Sequence, residues 1–488
     1  MDSMCCPYFL FELCESFPMY KSEQLTLSLK HLIESGRWKP NEKLPSLRQQ
    51  AQASGFSLIT VMNAYQELEA QGLIYSKEKL GYFIAEDPNS LKIAKTVILN
   101  EKIEINSTVF RYLKSIQSKN IVPFGSAFPD SQLLYSPKLM QTLAQRAKHR
   151  LSYEQMPSLP PGNLELRKLI AQRYCMQDIP TDPSDIVITS GGLDALNLAL
   201  QTLTKPDDYI LLQETIFYGA WQAAEHFGLK VITIPEHPEH GLDLEAFKNA
   251  VSNYPIKVCL LMLNSHNPIG FTVSDEIKLQ LAKLLQEHQI YLVEDDVYEE
   301  LYFDHKKPLS MKYFDQHNLV LHCSSFSKIL GAGFRIGWVH TGKFSESIQH
   351  LQLMSTLSVN SFIQNALMDY LSHRYYEKHL KTLRNTLKHL KNQYYQYLTE
   401  RLPQTCKVHY YPSGYFLWIT LPEHINSDLI YHEMLEYKVG VASGSLFYRT
   451  DQTPHHIRIN CSFELNEHTQ AALDQLIQQI NTFDQSIL

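Results

Sequence analysis

The sequence predicts an α/β chain in two parts: a small helical head that ends in a hairpin, then a much larger domain built on a mostly parallel sheet. Three observations carry this expectation. Before residue 86, two short amphipathic segments separated by a glycine are followed by two apolar runs around the charged glycine turn "SKEKLG". Beyond residue 120, apolar runs alternate repeatedly with amphipathic segments, the pattern of strands crossing over through helices to a sheet covered on both faces. Four of those apolar runs stop abruptly in polar residues: "SGGLDAL", "SHNPIG", "DDVY" and "SSFSK".

At 488 residues the chain exceeds one compact unit, since domains average about 150 residues. A hydrophobic content of 44% with 19% charged residues is ordinary for a folded protein. The net charge of -7 gives no general attraction to nucleic acid or anionic lipid, so DNA binding needs a local surface. Cys5, Cys6, Cys14, Cys175, Cys259, Cys323, Cys406 and Cys461 show no paired C-x-x-C zinc spacing, which fits a reducing cytoplasm. The N-terminal "MDSMCCPYFLFELCESF" lacks a basic segment and carries Glu12 and Glu15, so no export signal is expected. No apolar run reaches the roughly 18 residues of a membrane-spanning helix.

In the head, Leu25, Leu29, Leu32 and Ile33 share one face of a helix over 24–35, stopped by Gly36. Pro45 and Ser46 suit the first turn of a short helix running to about Ala53, and Gly55 breaks it. Ser57 can cap the next helix, whose buried face is Val61, Ala64, Tyr65 and Leu68, ending at Gly72. Two short helices around a glycine turn make a helix-turn-helix, and "LIYSKEKLGYFIA" adds a wing.

The order "SGRWKPNEKLPSLRQ" then "SLITVMNAYQELEAQGLI" resembles the winged helix-turn-helix of GntR-type regulators. The resemblance implies that Arg48 contacts phosphate beside Ser46, and that the second helix enters the major groove with Thr60 and Asn63 toward the bases. Lys77 and Lys79 would lie on the wing. Leu58 follows Ser57 where such helices usually carry arginine, and Met62 stands where arginine is common in part of the family. Residues 20–90 hold about as many acids as bases, so the phosphate-driven share of affinity should be modest.

The boundaries expected are a head over 1–86, a linker over 87–120 that ends in a short helix, and a large domain over 121–488. Within the last, a large subdomain spans about 160–350 and a smaller α+β subdomain is assembled from the flanking segments. The strands "DIVIT" (185–189), "KVCLLMLN" (257–264), "IYLVE" (290–294) and "NLVLHC" (318–323) bring their polar carboxyl ends together, where open α/β sheets bind ligands.

That order resembles the fold-type I, class I/II aminotransferases, which use pyridoxal 5'-phosphate (PLP). The resemblance implies that Lys328 of "SSFSK" forms the Schiff base, for which its amine must lose its proton. Asp295 would pair with the pyridine nitrogen, and Tyr298 and Asn267 would hold the phenolic oxygen. Gly191 and Gly192 would offer backbone N–H groups to the phosphate at a helix N-terminus, joined by Ser325 and Arg335. Phe217 would stack on the ring, Tyr153 would reach the partner subunit's phosphate, and Arg458 would grip a substrate or effector carboxylate.

His237 and His240 lie in a Pro/Gly-rich connection without a third ligand, so no metal is expected. Of His455 and His456, at most one can face the same side as Arg458 on an alternating strand. The segment 375–402 carries Leu380, Leu383, Leu387 and Leu390 on one stripe, and its charges are expected on a solvated face.

A GntR-type head before an aminotransferase-like domain is the arrangement of the MocR subfamily. It implies a cytoplasmic homodimer that binds promoter double-stranded DNA and senses PLP or a small amino compound, with no membrane partner. A working aminotransferase with a vestigial head is the alternative reading, in which Lys328 acts as general base and acid.

Overall fold

The computed structural model describes residues 21–34, 38, 42–70, 73–77, 81–85, 104–117, 120–148, 158–237, 240–448 and 454–485. It divides into two compact units, Met1–Asn100 and Glu101–Leu488.

The first unit contains α1 (Lys21–Glu34), α2 (Leu47–Ser54), α3 (Leu58–Ala70) and the antiparallel pair β1 (Ile74–Lys77) and β2 (Gly81–Ile84). Ser46 is the N-cap of α2 and not part of its first turn, because it closes a capping box. Its hydroxyl accepts from the Gln49 N–H, and the Gln49 side chain accepts the Ser46 N–H at 3.0 Å. Gly55 ends α2 at φ 70°, a left-handed conformation that glycine adopts without a Cβ penalty. Ser57 caps α3, accepting from the Thr60 N–H at 3.2 Å. Leu25 and Leu29 of α1 close on Val61, Ala64, Tyr65 and Leu68 of α3, with Leu44, Ile74 and Ile84 completing the core.

In the second unit a seven-stranded sheet is built from β3 (Ile186–Thr189), β4 (Tyr209–Gln213), β5 (Lys230–Ile234), β6 (Ile256–Leu261), β7 (Tyr291–Asp295), β8 (Val320–Ser325) and β9 (Gly337–His340). The strand order is β3-β9-β8-β7-β6-β4-β5. Only β9 runs against its neighbours. Since β3 and β8 are both antiparallel to β9, the carboxyl ends of β3, β6, β7 and β8 share one edge. The central strands are buried on both faces, as the helical crossovers of a parallel sheet require. Each fully buried Ile, Leu or Val there contributes roughly 1.5–3 kcal/mol of burial.

A second, antiparallel sheet orders β10 (Lys407–His409), β11 (Phe416–Thr420), β13 (His456–Asn460) and β12 (Ala442–Ser443) as β10-β11-β13-β12. The helices Tyr375–Arg401, Ser427–Glu436 and Glu467–Gln485 supply residues to its core. The segment around Val122 and Phe124 joins that core too. The tail of the segment expected as linker is the helix Glu104–Ser115, and its Val109 and Tyr112 are buried in the large core. In the helix Tyr375–Arg401 the four leucines are buried as their spacing predicts. Lys391 departs from the solvated face expected of the charges: it is fully buried, and its ammonium donates to the Tyr411 and Ser413 carbonyls at 2.9 and 2.7 Å. Those two carbonyls replace its water.

Candidate functional site

Three strand ends place the central residues. β8 runs into a single 3-10 turn, Phe326–Lys328, capped by the Ser325 hydroxyl, which accepts from the Ser327 N–H at 3.0 Å. The turn presents Lys328 half-buried, its ammonium donating to the Ala127 carbonyl at 2.8 Å. It lies 4.1 Å from the centre of the Phe128 ring and 5.5 Å from that of Tyr298. Loss of water pushes the amine down to about 7; Arg458 and Arg335 push the same way, and Asp295 opposes them.

Asp295 ends β7, and one of its carboxylate oxygens, Oδ1, is buried without a hydrogen-bond partner. Burial raises this carboxyl to about 7, with nearby Asp296 adding to the effect; the Val297 N–H and the Lys328 charge oppose it. Tyr298 follows in the next turn, buried, with its phenol pushed up chiefly by burial. Its hydroxyl accepts from Asn267 Nδ2 at 3.3 Å. Asn267 Oδ1 in turn accepts from Arg458 Nη1 at 2.7 Å.

Arg458 of β13 is fully buried, with its guanidinium 4.3 Å from the Phe416 ring centre and 4.8 Å from that of Phe447. Nη2 donates to the Gly125 carbonyl, while Nε has no partner.

At the end of β3 the chain turns through Gly191, φ 100°, into the helix Gly192–Leu203. Arg335 folds over this turn, donating to the Ser190 carbonyl at 2.7 Å. A methyl group on Gly191 would come within 2.7 Å of that guanidinium, and one on Gly192 within 2.7 Å of Val297. The space is thus reserved for backbone. N–H groups at a helix start with a guanidinium beside them suit an anion, although here the Ser190 N–H already donates to the Asp194 carboxylate at 2.8 Å. Phe217 is half-buried at the start of the helix Tyr218–His226, its ring centre 4.4 Å from that of Tyr218.

Behind Asp295 lies a second polar layer with no signature in the sequence. Glu294 and Asp296 leave β7 on the face opposite Asp295. Asp296 Oδ2 lies 3.0 Å from His322 Nε2 on β8, and His322 Nδ1 lies 2.6 Å from the Tyr174 hydroxyl. Trp338 Nε1 donates to that hydroxyl at 2.9 Å. Glu294 accepts the Met311 N–H with both oxygens. Glu294, Asp296 and His322 have metal-ligand chemistry; Glu294, both His322 nitrogens and Asp296 Oδ2 are hydrogen-bonded within the protein, while Asp296 Oδ1 is buried without a partner. Burial alone would lower His322; the hydrogen bond to Asp296 and the charges of Glu294, Asp296 and Glu299 hold it up at about 9.

The structure therefore brings Lys328, Asp295, Tyr298, Asn267 and Arg458 into one connected group, and Arg335 onto Gly191. Sequence reasoning missed Gly125, Ala127 and Phe128, two of which act through carbonyls and so leave no side-chain signal. Tyr153 lies outside the described residues. His237 and His240 stack on each other at 4.4 Å.

In the first unit Arg48 and Asn63 are exposed, as is Lys77, whose ammonium lies 4.7 Å from the Phe83 ring centre. The Ser46 hydroxyl is used in the capping box, and the Thr60 hydroxyl lies 2.8 Å from that of Ser57. Lys79 lies outside the described residues.

Residues 21–84 match the family of bacterial regulatory proteins, gntR family, and residues 121–480 match aminotransferase class I and II. The chain belongs to the MocR-type regulators. It is 44% identical to the uncharacterized HTH-type transcriptional regulator YdcR of Escherichia coli K12, across 94% of this chain and 98% of that one. Identity to YjiR of the same organism, also named an HTH-type transcriptional regulator, is 32% over the same shares. Among solved structures, an archaeal alanine:glyoxylate aminotransferase superposes with a TM-score of 0.73 at 22% identity, covering 78% of this chain and 96% of that chain. The kynurenine aminotransferase of Pyrococcus horikoshii gives 0.71 at 22%, covering 81% and 97%. These two likenesses establish the aminotransferase fold of the MocR-type chain's second unit.

Proposed function

We propose that this protein is a cytoplasmic, homodimeric transcription regulator that binds promoter DNA through its winged head and PLP through its aminotransferase-like domain. PLP, or an amino compound reacting with it, is the effector. The observation that carries the cofactor reading is the unpartnered, buried oxygen of Asp295 in the same site as the low-pKa amine of Lys328. An unsatisfied buried oxygen is costly, and a protonated ring nitrogen is the donor it lacks. The donor set fits the group at its other corners as well, with Tyr298 and Asn267 for a ring oxygen and Arg335 with the Gly191–Gly192 turn for a phosphate.

Bound there, PLP supplies an aldehyde that takes up amines covalently and a ring that accepts electrons from them. Asp295 would hold a proton at the ring nitrogen. Lys328, with about half of its amine neutral near pH 7, would offer an electron pair to carbon. Phe217 would cover one ring face. Arg458 would fix a carboxylate, and Lys328 would then be free to carry a proton. Such a ligand can change DNA binding only by preferring one state of the protein over another.

A second reading, a turnover aminotransferase with a vestigial head, is favoured by one feature: the Arg458 guanidinium keeps an unpartnered Nε in a site otherwise built for a carboxylate. A paired assay separates the two. The purified protein with PLP should acquire a visible absorbance that is lost in Lys328→Ala. It should also retard DNA from upstream of its own gene, and Arg48→Ala should weaken this across all sequences, reducing the salt slope by about one. Steady transamination without binding to any genomic fragment at low salt would reverse the choice.

A further inference from the structure

The outward face of α3 is not the one a phosphate-binding helix would show. With Val61, Ala64, Tyr65 and Leu68 buried, the opposite stripe at i, i+3, i+4 and i+7 is Ile59, Met62, Asn63 and Gln66. Ile59 is 66% exposed, Met62 36%, and Leu58 at the start of the helix 47%. Thr60 is turned aside toward the Ser57 hydroxyl. Nothing on α3 is basic. Exposed large apolar groups on a small soluble unit mark a contact surface.

We infer that α3 reads A·T base pairs in the major groove, Ile59 and Met62 packing on thymine methyl groups and Asn63 and Gln66 hydrogen-bonding adenine. The inference rests on the DNA-binding reading and adds to it the residues that set sequence choice. Its argument is chemical. The thymine 5-methyl is the only apolar group on a major-groove edge, and a primary amide is the side chain that matches the adenine N6 and N7 pair. Guanine, read best by arginine or lysine, has no matching partner on this face. The charges needed for phosphate are set apart from it, on Arg48 in the first turn of α2 and Lys77 on β1, so the division between holding the backbone and reading the bases is complete. A face with two bare aliphatic groups and two amides also has little electrostatic grip, so its selectivity rests on these methyl contacts.

The test uses the full-length protein and a random duplex library, followed by anisotropy titrations of the best duplex with deoxyuridine replacing thymidine one position at a time. Uracil keeps every hydrogen bond and removes only the methyl group. An A·T-rich half-site is expected, with affinity falling about fourfold per critical methyl lost. In Ile59→Ala and Met62→Ala the thymine and uracil duplexes should bind more nearly alike, the signature of a direct pairwise contact. A G·C core in the selected site, or uracil duplexes indistinguishable from thymine ones, would overturn the inference and leave the regulator standing. Unchanged DNA affinity in the alanine variants together with altered sedimentation would make the stripe a protein interface instead. Enrichment of no duplex even at low salt would defeat the regulator reading and this inference with it.

Discussion

Arg458 and Asn267 are joined by a 2.7 Å hydrogen bond from Nη1 to Oδ1, linking the small antiparallel sheet to the loop after β6. Asn267 passes the link on to Tyr298 through its own amide. The described hydrogen-bond partners of the guanidinium are an amide oxygen and a backbone carbonyl, neither of them an anion. A buried cation without an anion is held at a cost that an incoming carboxylate would relieve. The Arg458 guanidinium and the Tyr298 hydroxyl are therefore coupled through one side chain, Asn267.

It follows that the effector should be judged by its carboxylate. With PLP bound, an α-amino acid should perturb the cofactor absorbance at far lower concentration than the amine lacking the carboxyl group. Arg458→Lys keeps the charge and loses the fork. It should weaken amino acids about tenfold or more, since losing one hydrogen bond to a charged group costs roughly 1.5–3 kcal/mol. The simple amine should be almost unaffected. Equal weakening of both ligands would remove Arg458 from the carboxylate role.

PLP uptake should depend on pH around neutrality. The Lys328 amine is pushed down to about 7 by burial, and only its neutral form can attack an aldehyde. Stopped-flow uptake should quicken roughly tenfold per pH unit below 7 and level off above about 8. Asp295, pushed up to about 7 by burial, titrates in the same range, so the two act as a pair. Asp295→Asn removes the charge that favours the ammonium; the midpoint should move to lower pH while PLP affinity drops. A rate flat from pH 6 to 9 would contradict this account of Lys328.

What could be read from the sequence follows from where the information sits. Lys328, Asp295, Tyr298 and Asn267 are reactive side chains at strand ends, and apolar runs ending in polar groups announce such positions. Ser46 stands one residue before the first turn the sequence suggests for it, because a serine near a helix start does not by itself mark whether it caps the helix or lies inside it. Lys391 reads as solvated in the sequence because it is charged, and only the fold shows two carbonyls in place of water. The Ala127 carbonyl against Lys328 and the Tyr174–His322–Asp296 chain depend on tertiary approach and have no local pattern.

Gly191→Ala tests the phosphate site proposed at this turn. At φ 100° an alanine is strained, and its methyl would displace the Arg335 guanidinium from the Ser190 carbonyl. PLP affinity should fall about tenfold or more, and inorganic phosphate should compete less well, for a destabilisation of roughly 1–3 kcal/mol. Gly333→Ala, a substitution in the same Arg335 loop with open space around it, is the control and should change neither quantity. If both variants bind PLP like the parent, the phosphate is held elsewhere.

The layer behind Asp295 should be visible as a pH-dependent stability. His322 is held as a cation up to about 9, above its ordinary value near 6.5, by Asp296 and the neighbouring acids against the cost of burial. A folded-state value raised in this way stabilises the native protein fully below about pH 6.5. That contribution is then lost as pH rises through 9. The difference corresponds to something on the order of 3 kcal/mol. Urea unfolding of the parent and of His322→Gln should therefore differ most near pH 6 and converge toward pH 9.5, while Tyr174→Phe removes the two hydrogen bonds its hydroxyl makes with His322 and Trp338 and should cost about 2 kcal/mol with little pH dependence. The comparison between variants cancels the titration of groups that the His322 charge does not reach, such as Lys391, whereas the carboxyls of Glu294 and Asp295, which His322 holds down, contribute to the same pH-dependent gap. A gap between parent and His322→Gln that stays constant across this range would show that the imidazole is neutral, and that Asp296 is stabilised by Asn264, which donates to it at 2.9 Å, without a cation beside it.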